Sequence, residues 1–205
     1  MDPVTDFTVC VLMVYHLEET FVAGHMPTSI RFSTFPRTLP PPHFTVVIRD
    51  VFQANAEEIG TKSLKKGLTS DQVLSVVRPD LIELGFMVEA GKHLTDKIKR
   101  PVFFGENGAP GLQYEIDAYH ESWKCGLEIE AGRAWMGNAI YRDLIQALVM
   151  VELETLVMCI PLGYRYKSSG KDAISKDYDN AVAVADAIYG HSRIVMPYRL
   201  VVIGY

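Results

Sequence analysis

The chain has 205 residues, 48% of them hydrophobic and 22% charged, with a mean hydropathy of +0.09. That suits one globular domain of ordinary size with a real core. A formal net charge of −5 and a pI near 5.7 exclude a protein that coats nucleic acid by bulk charge, though not a local basic groove.

The apolar run at residues 7–15 is too short to span a bilayer and follows Asp2 and Asp6 rather than lysines, so neither a membrane span nor a signal peptide is expected. Cys10, Cys125 and Cys159 are odd in number, far apart and set among apolar neighbours. They read as reduced, buried thiols of an intracellular, cytoplasmic protein. No Cys/His spacing suggests zinc.

Residues 7–15 and 29–35 have strand character, and Pro36, Pro40, Pro41 and Pro42 then form a stiff extended connector. Residues 1–43 are accordingly expected to be an accessory segment, either an edge hairpin or an element such as a dimer arm. Residues 44–205 are expected to be a single α/β domain. Phe44, Val47, Ile48, Val51 and Phe52 recur at helical spacing, and residues 62–66 form a basic loop. Thr69 and Gln72 match a capping box opening a helix through Val77, with Pro79 starting another that Gly85 stops. Strands are expected at residues 86–89 and 102–104, with Glu106-Asn107-Gly108 as a turn.

Two acidic strands follow, Glu115-Ile116-Asp117 and Leu127-Glu128-Ile129-Glu130. Alternation puts each pair of carboxylates on one face. A hairpin centred on Ser122 and Trp123 sets Asp117 opposite Glu128 and Glu115 opposite Glu130. Like charges directly opposite destabilise a sheet, so four acids on one patch call for a counter-charge, and a divalent cation is the natural one. A solvated acidic face is the other reading of the same pattern.

Trp135, Ile140, Leu144, Ala147, Leu148 and Val151 mark a long helix. Residues 153–160 read as a strand buried on both faces, and residues 164–172 as a loop mixing Tyr, Lys, Ser and Gly. A helix capped by Ser175 and ended by Gly190 precedes terminal strands at 194–196 and 200–203. The order from residue 86 is β-β-β-β-α-β-α-β, a mixed α/β architecture.

Asp117 ahead of a strand carrying Glu128-x-Glu130, then a helix and a buried strand, resembles the PD-(D/E)xK nucleases of restriction-endonuclease type over residues 86–205. Glu130 stands where that family usually has Lys, which is similar to its BamHI/BglII branch. The resemblance implies a mixed central sheet flanked by helices and a Mg²⁺-dependent endonuclease (Mn²⁺ as substitute) acting on double-stranded DNA as a homodimer, in a restriction-type or defence role. It further implies Asp117, Glu128 and the Ile129 carbonyl as metal ligands, with Glu130 orienting or deprotonating the attacking water.

An acid from an earlier element often joins such sites, which makes Glu57, Glu58, Glu83 and Glu89 candidates, with Glu115 beside them. Lys124, Arg133, the helix stripe Asn138, Arg142 and Gln146, and Tyr166, Lys167 and Lys171 of the 164–172 loop are candidates for DNA contact. The competing reading is a catalytically silent member of the fold serving as a binding or assembly module. A two-carboxylate glycosidase fits poorly, because its acids must stand apart across a sugar cleft.

Overall fold

The computed structural model describes residues 30–61, 67–132 and 138–205. The apolar run 7–15 with Cys10, the basic loop 62–66, and Arg133 and Trp135 lie outside the described residues.

The architecture is α/β, with a mixed six-stranded sheet flanked by helices on both faces. The strands are β1 (Arg31–Phe35), β2 (Met87–Val88), β5 (Ala118–His120), β6 (Cys125–Ile129), β7 (Thr155–Ile160) and β10 (Arg199–Gly204). Their spatial order is β1-β10-β7-β6-β5-β2. Strands β6, β7 and β10 run parallel, and β1, β5 and β2 pair antiparallel at the two sides. Every residue of β7 is buried, as the apolar run Leu156 to Ile160 requires of a strand covered on both faces.

Period-two alternation splits the core between the faces. Val157, Cys159, Val201 and Ile203 pack with Leu127 and Ile129 against α1 (Thr45–Ala54) and α3 (Ser70–Glu83). Leu156, Met158, Ile160, Leu200 and Val202 pack on the other side against α4 (Ala139–Val149) and α5 (Asp177–Gly190). The short helix α2 (Ala56–Ile59) contributes the buried Ile59. No helix among the described residues is long and apolar enough to cross a membrane.

Five local expectations need correction. Arg31–Phe35, placed with the accessory segment, pairs along its length with β10 and is the sheet's edge. Pro79 lies inside α3 and does not start a new helix. Val73, Val77 and Leu81 keep one buried stripe across it, while Pro79 and Ser75 face solvent, where a displaced carbonyl finds water.

The strand expected at 102–104 begins earlier, as β3 (Ile98–Pro101), paired with β4 (Gln113–Ile116) in a separate two-stranded sheet. Residues 102–104 continue that hairpin irregularly, with Phe103 and Phe104 exposed. The expected loop 164–172 is instead a hairpin of β8 (Tyr164–Ser168) and β9 (Lys171–Ser175). Ser169 and Gly170 both have positive φ, as a two-residue primed turn needs. Residues 194–196 form no strand, and Val195 is 89% exposed.

The capping box is present as read. The Gln72 N–H donates to the Thr69 hydroxyl, and the Gln72 side chain accepts from the Thr69 N–H at 2.9 Å. Thr69→Ala should therefore cost about 1 kcal/mol, seen as a lower urea midpoint at unchanged m-value. An unchanged midpoint would mean that packing alone holds the start of α3.

Candidate active site

The site is organised around one bend. Strand β4 pairs with β3 up to Ile116, β5 pairs with β6 from Ala118, and Asp117 lies between the two ladders. The pair Ala118↔Leu127 is in the register expected for the hairpin, so one further step sets Asp117 opposite Glu128. On the other side, one step beyond Ile98↔Ile116 sets Lys97 opposite Asp117. Two hydrogen bonds fix the bend. Asp117 Oδ2 accepts from the Ile129 N–H at 2.7 Å, and the Asp117 carbonyl accepts from the Glu89 N–H at 2.8 Å. Both backbone groups of a strand residue point to the same side, so the Ile129 carbonyl faces toward Asp117 as well.

The expected pairing of Glu115 with Glu130 does not form. The chain leaves the ladder at Asp117, so Glu115 pairs in register with Lys99, while the Glu130 N–H donates to the Cys159 carbonyl. Glu115 still reaches the same cleft from its other wall.

That cleft is open and has a volume of about 450 Å³. It is lined by Asp117 and Glu128, by Glu89, Lys97 and Glu115 at the ends of β2, β3 and β4, and by Arg142, Asp143 and Gln146 of α4. Lys97 Nζ is 2.5 Å from Glu89 Oε1 and 3.8 Å from Glu115 Oε2. Arg142 donates from Nε to Asp143 Oδ1 at 2.8 Å and from a terminal nitrogen to Glu130 Oε1 at 3.1 Å. Asp143 is 2% exposed, and its second carboxylate oxygen is buried without a hydrogen-bond partner.

Crowded, desolvated acids are hard to ionise together. Burial, reinforced by Glu89 and Asp143 and opposed by the Ile129 N–H, lifts the Asp117 carboxyl to about 6. Burial and then Asp117 and Asp143 hold Glu128 well above the usual carboxylate range. Burial and the neighbouring Asp143 push Glu130 up to about 8, against the pull of Arg142.

Among the described residues no three His, Cys, Asp or Glu side chains form a ready-made metal cage. Magnesium does not need one: it keeps several waters and is held by one or two carboxylates plus substrate phosphate. Asp117, Glu128 and the Ile129 carbonyl match that oxygen donor set, and the unpartnered Asp143 oxygen adds a further acceptor beside them. The residues present therefore fit a hard divalent cation.

The other expected site residues divide clearly. Of the earlier acids only Glu89 reaches the cleft, whereas Glu57, Glu58 and Glu83 are exposed elsewhere on α2 and α3. Lys124 sits in the β5–β6 turn with φ of 45° and pairs with Glu154 at 3.0 Å, away from the cleft. Glu130 lies behind Arg142 rather than on the cleft wall. Arg142 and Gln146 line the wall, but Asn138 does not. Tyr166, Lys167 and Lys171 are carried on the β8–β9 hairpin, where Tyr166 stacks on Tyr164.

Sequence reading missed Lys97 and Asp143. Asp143 has a visible signal, since it is the lone acid in the buried stripe Ile140, Asp143, Leu144, Ala147. Lys97 has none until the β3–β4 register is known.

No known family's profile matches the chain, and no curated protein sequence matches it. Among solved structures it is similar to restriction endonuclease BglII in complex with a DNA 16-mer. The match covers 85% of this chain and 75% of that one, with 9% identity and a TM-score of 0.45. A likeness of that degree carries neither activity nor partner over to this chain.

The electrostatics predict a stability signature in chelator-treated protein. Glu128 holds its proton in the folded chain at pH values where the unfolded chain, near 4.5, has released it, so its burial costs stability increasingly as pH rises above 4.5. Glu128→Gln should melt above the parent, by about 3 °C or more near pH 8, with a smaller gap near pH 5. A variant that melts lower at every pH would show that the ionised carboxylate is internally compensated.

Proposed function

We propose that this chain is a magnesium-dependent endonuclease of restriction-endonuclease-like fold, cleaving phosphodiester bonds of duplex DNA in a restriction-type or defence role. The observation that carries the reading is the convergence of Asp117 and Glu128 in an open cleft, with Ile129 held beside them. A bound magnesium ion, which manganese can replace, would polarise a phosphate oxygen and make a coordinated water more acidic.

The chain's own residues supply the rest. Asp117 and Glu128 hold the cation, and the Ile129 N–H fixes the Asp117 carboxylate so that one oxygen stays free for it. Arg142 and Gln146 line the wall along which the DNA backbone runs, and Lys167 and Lys171 extend the contact with phosphates along the β8–β9 hairpin. Cutting both strands takes two sites, hence a homodimer. The outward face of α4 supports it, since Tyr141, Ile145 and Val149 are exposed at i, i+4, i+8, with Ile145 61% exposed. The buried thiols Cys125 and Cys159 suit a cytoplasmic location.

One observation favours the silent-module reading: Glu130, where the related nucleases usually carry Lys, is tied to Arg142 and does not line the cleft. Incubating supercoiled plasmid with magnesium or manganese separates the two. The parent should nick or linearise it. Asp117→Asn, which keeps an oxygen for the Ile129 N–H, and Glu128→Gln should each lose at least about 100-fold in rate. No cleavage with either metal, together with no calorimetric metal binding, would leave the silent binding module.

A further inference from the structure

The cleft is lined by five acids, Glu89, Glu115, Asp117, Glu128 and Asp143, but by only two cations among the described residues, Lys97 and Arg142. A polyanion entering such a cleft meets repulsion unless one of those cations can turn to it. Arg142 holds Asp143 at 2.8 Å and Glu130 at 3.1 Å and keeps further donors on a side chain 60% exposed, so it stays available on its wall. Lys97 is differently placed.

An ammonium carries three donors. Lys97 makes one short hydrogen bond, to Glu89 at 2.5 Å, while Glu115 at 3.8 Å is an ion pair beyond hydrogen-bond reach. Its side chain keeps 20% exposure on the cleft wall, whereas that of Glu89 keeps 12%. The register sets it one step beyond Ile98↔Ile116, facing Asp117 across the bend. Lysine is also the cation suited to exchanging partners, being a compact charge on a flexible stem.

We propose that Lys97 contacts the phosphate backbone of the nucleic acid beside Asp117, and that Glu89 and Glu115 hold it over the cleft until the phosphate takes their place. The proposal rests on the nuclease reading and supplies from β3 the positive charge that position 130 lacks. It differs from a structural role in a readable way. Loss of one partner from an ion pair that merely braces the fold lowers stability, because the other charge is left unpaired, but does not change the salt dependence of binding.

The test compares the parent with Lys97→Met, Lys97→Gln and Lys97→Arg, all first checked by thermal melt; glutamine keeps a hydrogen bond to Glu89 should methionine fail to fold. Binding of a short fluorescent duplex is followed by anisotropy across a salt series in calcium, and single-turnover cleavage of the same duplex in magnesium. The neutral variants should reduce the slope of log affinity against log salt by about one, and slow cleavage about 10- to 100-fold, while arginine keeps the parental slope. An unchanged slope in the folded neutral variants, or no duplex binding by the parent, would overturn the proposal. The reduced slope without any cleavage by the parent would uphold Lys97 and sink the nuclease reading. Parental cleavage with an unchanged slope would do the reverse.

Discussion

The hydrogen bond from the Ile129 N–H to the Asp117 carboxylate is the contact on which the rest of the site depends. Strand β6 has β7 on one side and β5 on the other, but β5 stops at Ala118 while β6 runs on to Ile129. Beyond that point β6 has a buried backbone donor with no strand to receive it, and such donors are costly to leave unmade. The Asp117 side chain does what the missing strand would have done. The Asp117 carboxylate is thereby oriented by the same requirement that closes the sheet, and removing it disturbs both the fold and the cleft. Asparagine keeps the acceptor and so separates the two roles.

The second constraint is electrostatic. Five acids converge on one cleft, and the burial of Asp117 and Glu128 strengthens a repulsion that Arg142 and Lys97 offset only in part. Helix α4 makes this worse by placing Asp143 in the stripe that otherwise buries Ile140, Leu144 and Ala147. An apolar residue there would pack better, so the position reads as selected for charge. Arg142 binds Asp143 and Glu130 at once, which ties α4 to the end of β6 and fixes one wall of the cleft against the sheet.

Much of this was legible in the sequence wherever burial sets a period. The run at 155–160 could only be a strand covered on both faces, and Thr69 with Gln72 announced the start of α3 through side-chain chemistry that acts locally. The hairpin register followed from alternation, which is why Asp117 and Glu128 were found together. What stayed hidden depends on long-range geometry. Nothing local at Asp117 signals that the strand breaks there, since neither Gly nor Pro is present. Lys97 reaches the cleft only through the pairing of β3 with β4, an alignment that the exposed Phe103 and Phe104 obscured by mimicking a better strand. The hairpin at 164–175 was masked because its inward face is only half-buried and carries Tyr164, Tyr166, Ala173 and Ser175 rather than an aliphatic stripe.

The displacement of Glu115 and the opening of the cleft are one event. Gly126 lies beneath Ile116 and Leu153, where a Cβ would run into both side chains, so β4 can settle close over the start of β6. From there the chain turns at Asp117 into a second ladder instead of continuing the first. Had the ladder continued, Glu115 would stand opposite Glu130, and the backbone of β4 would occupy the space beside Glu128. By bending away, β4 leaves the end of β6 unpaired and carries Glu115 to the far wall with Lys97. A broken ladder leaves the carboxylates of Asp117 and Glu128 at a sheet end that opens into the cleft, where an unbroken one would bury them.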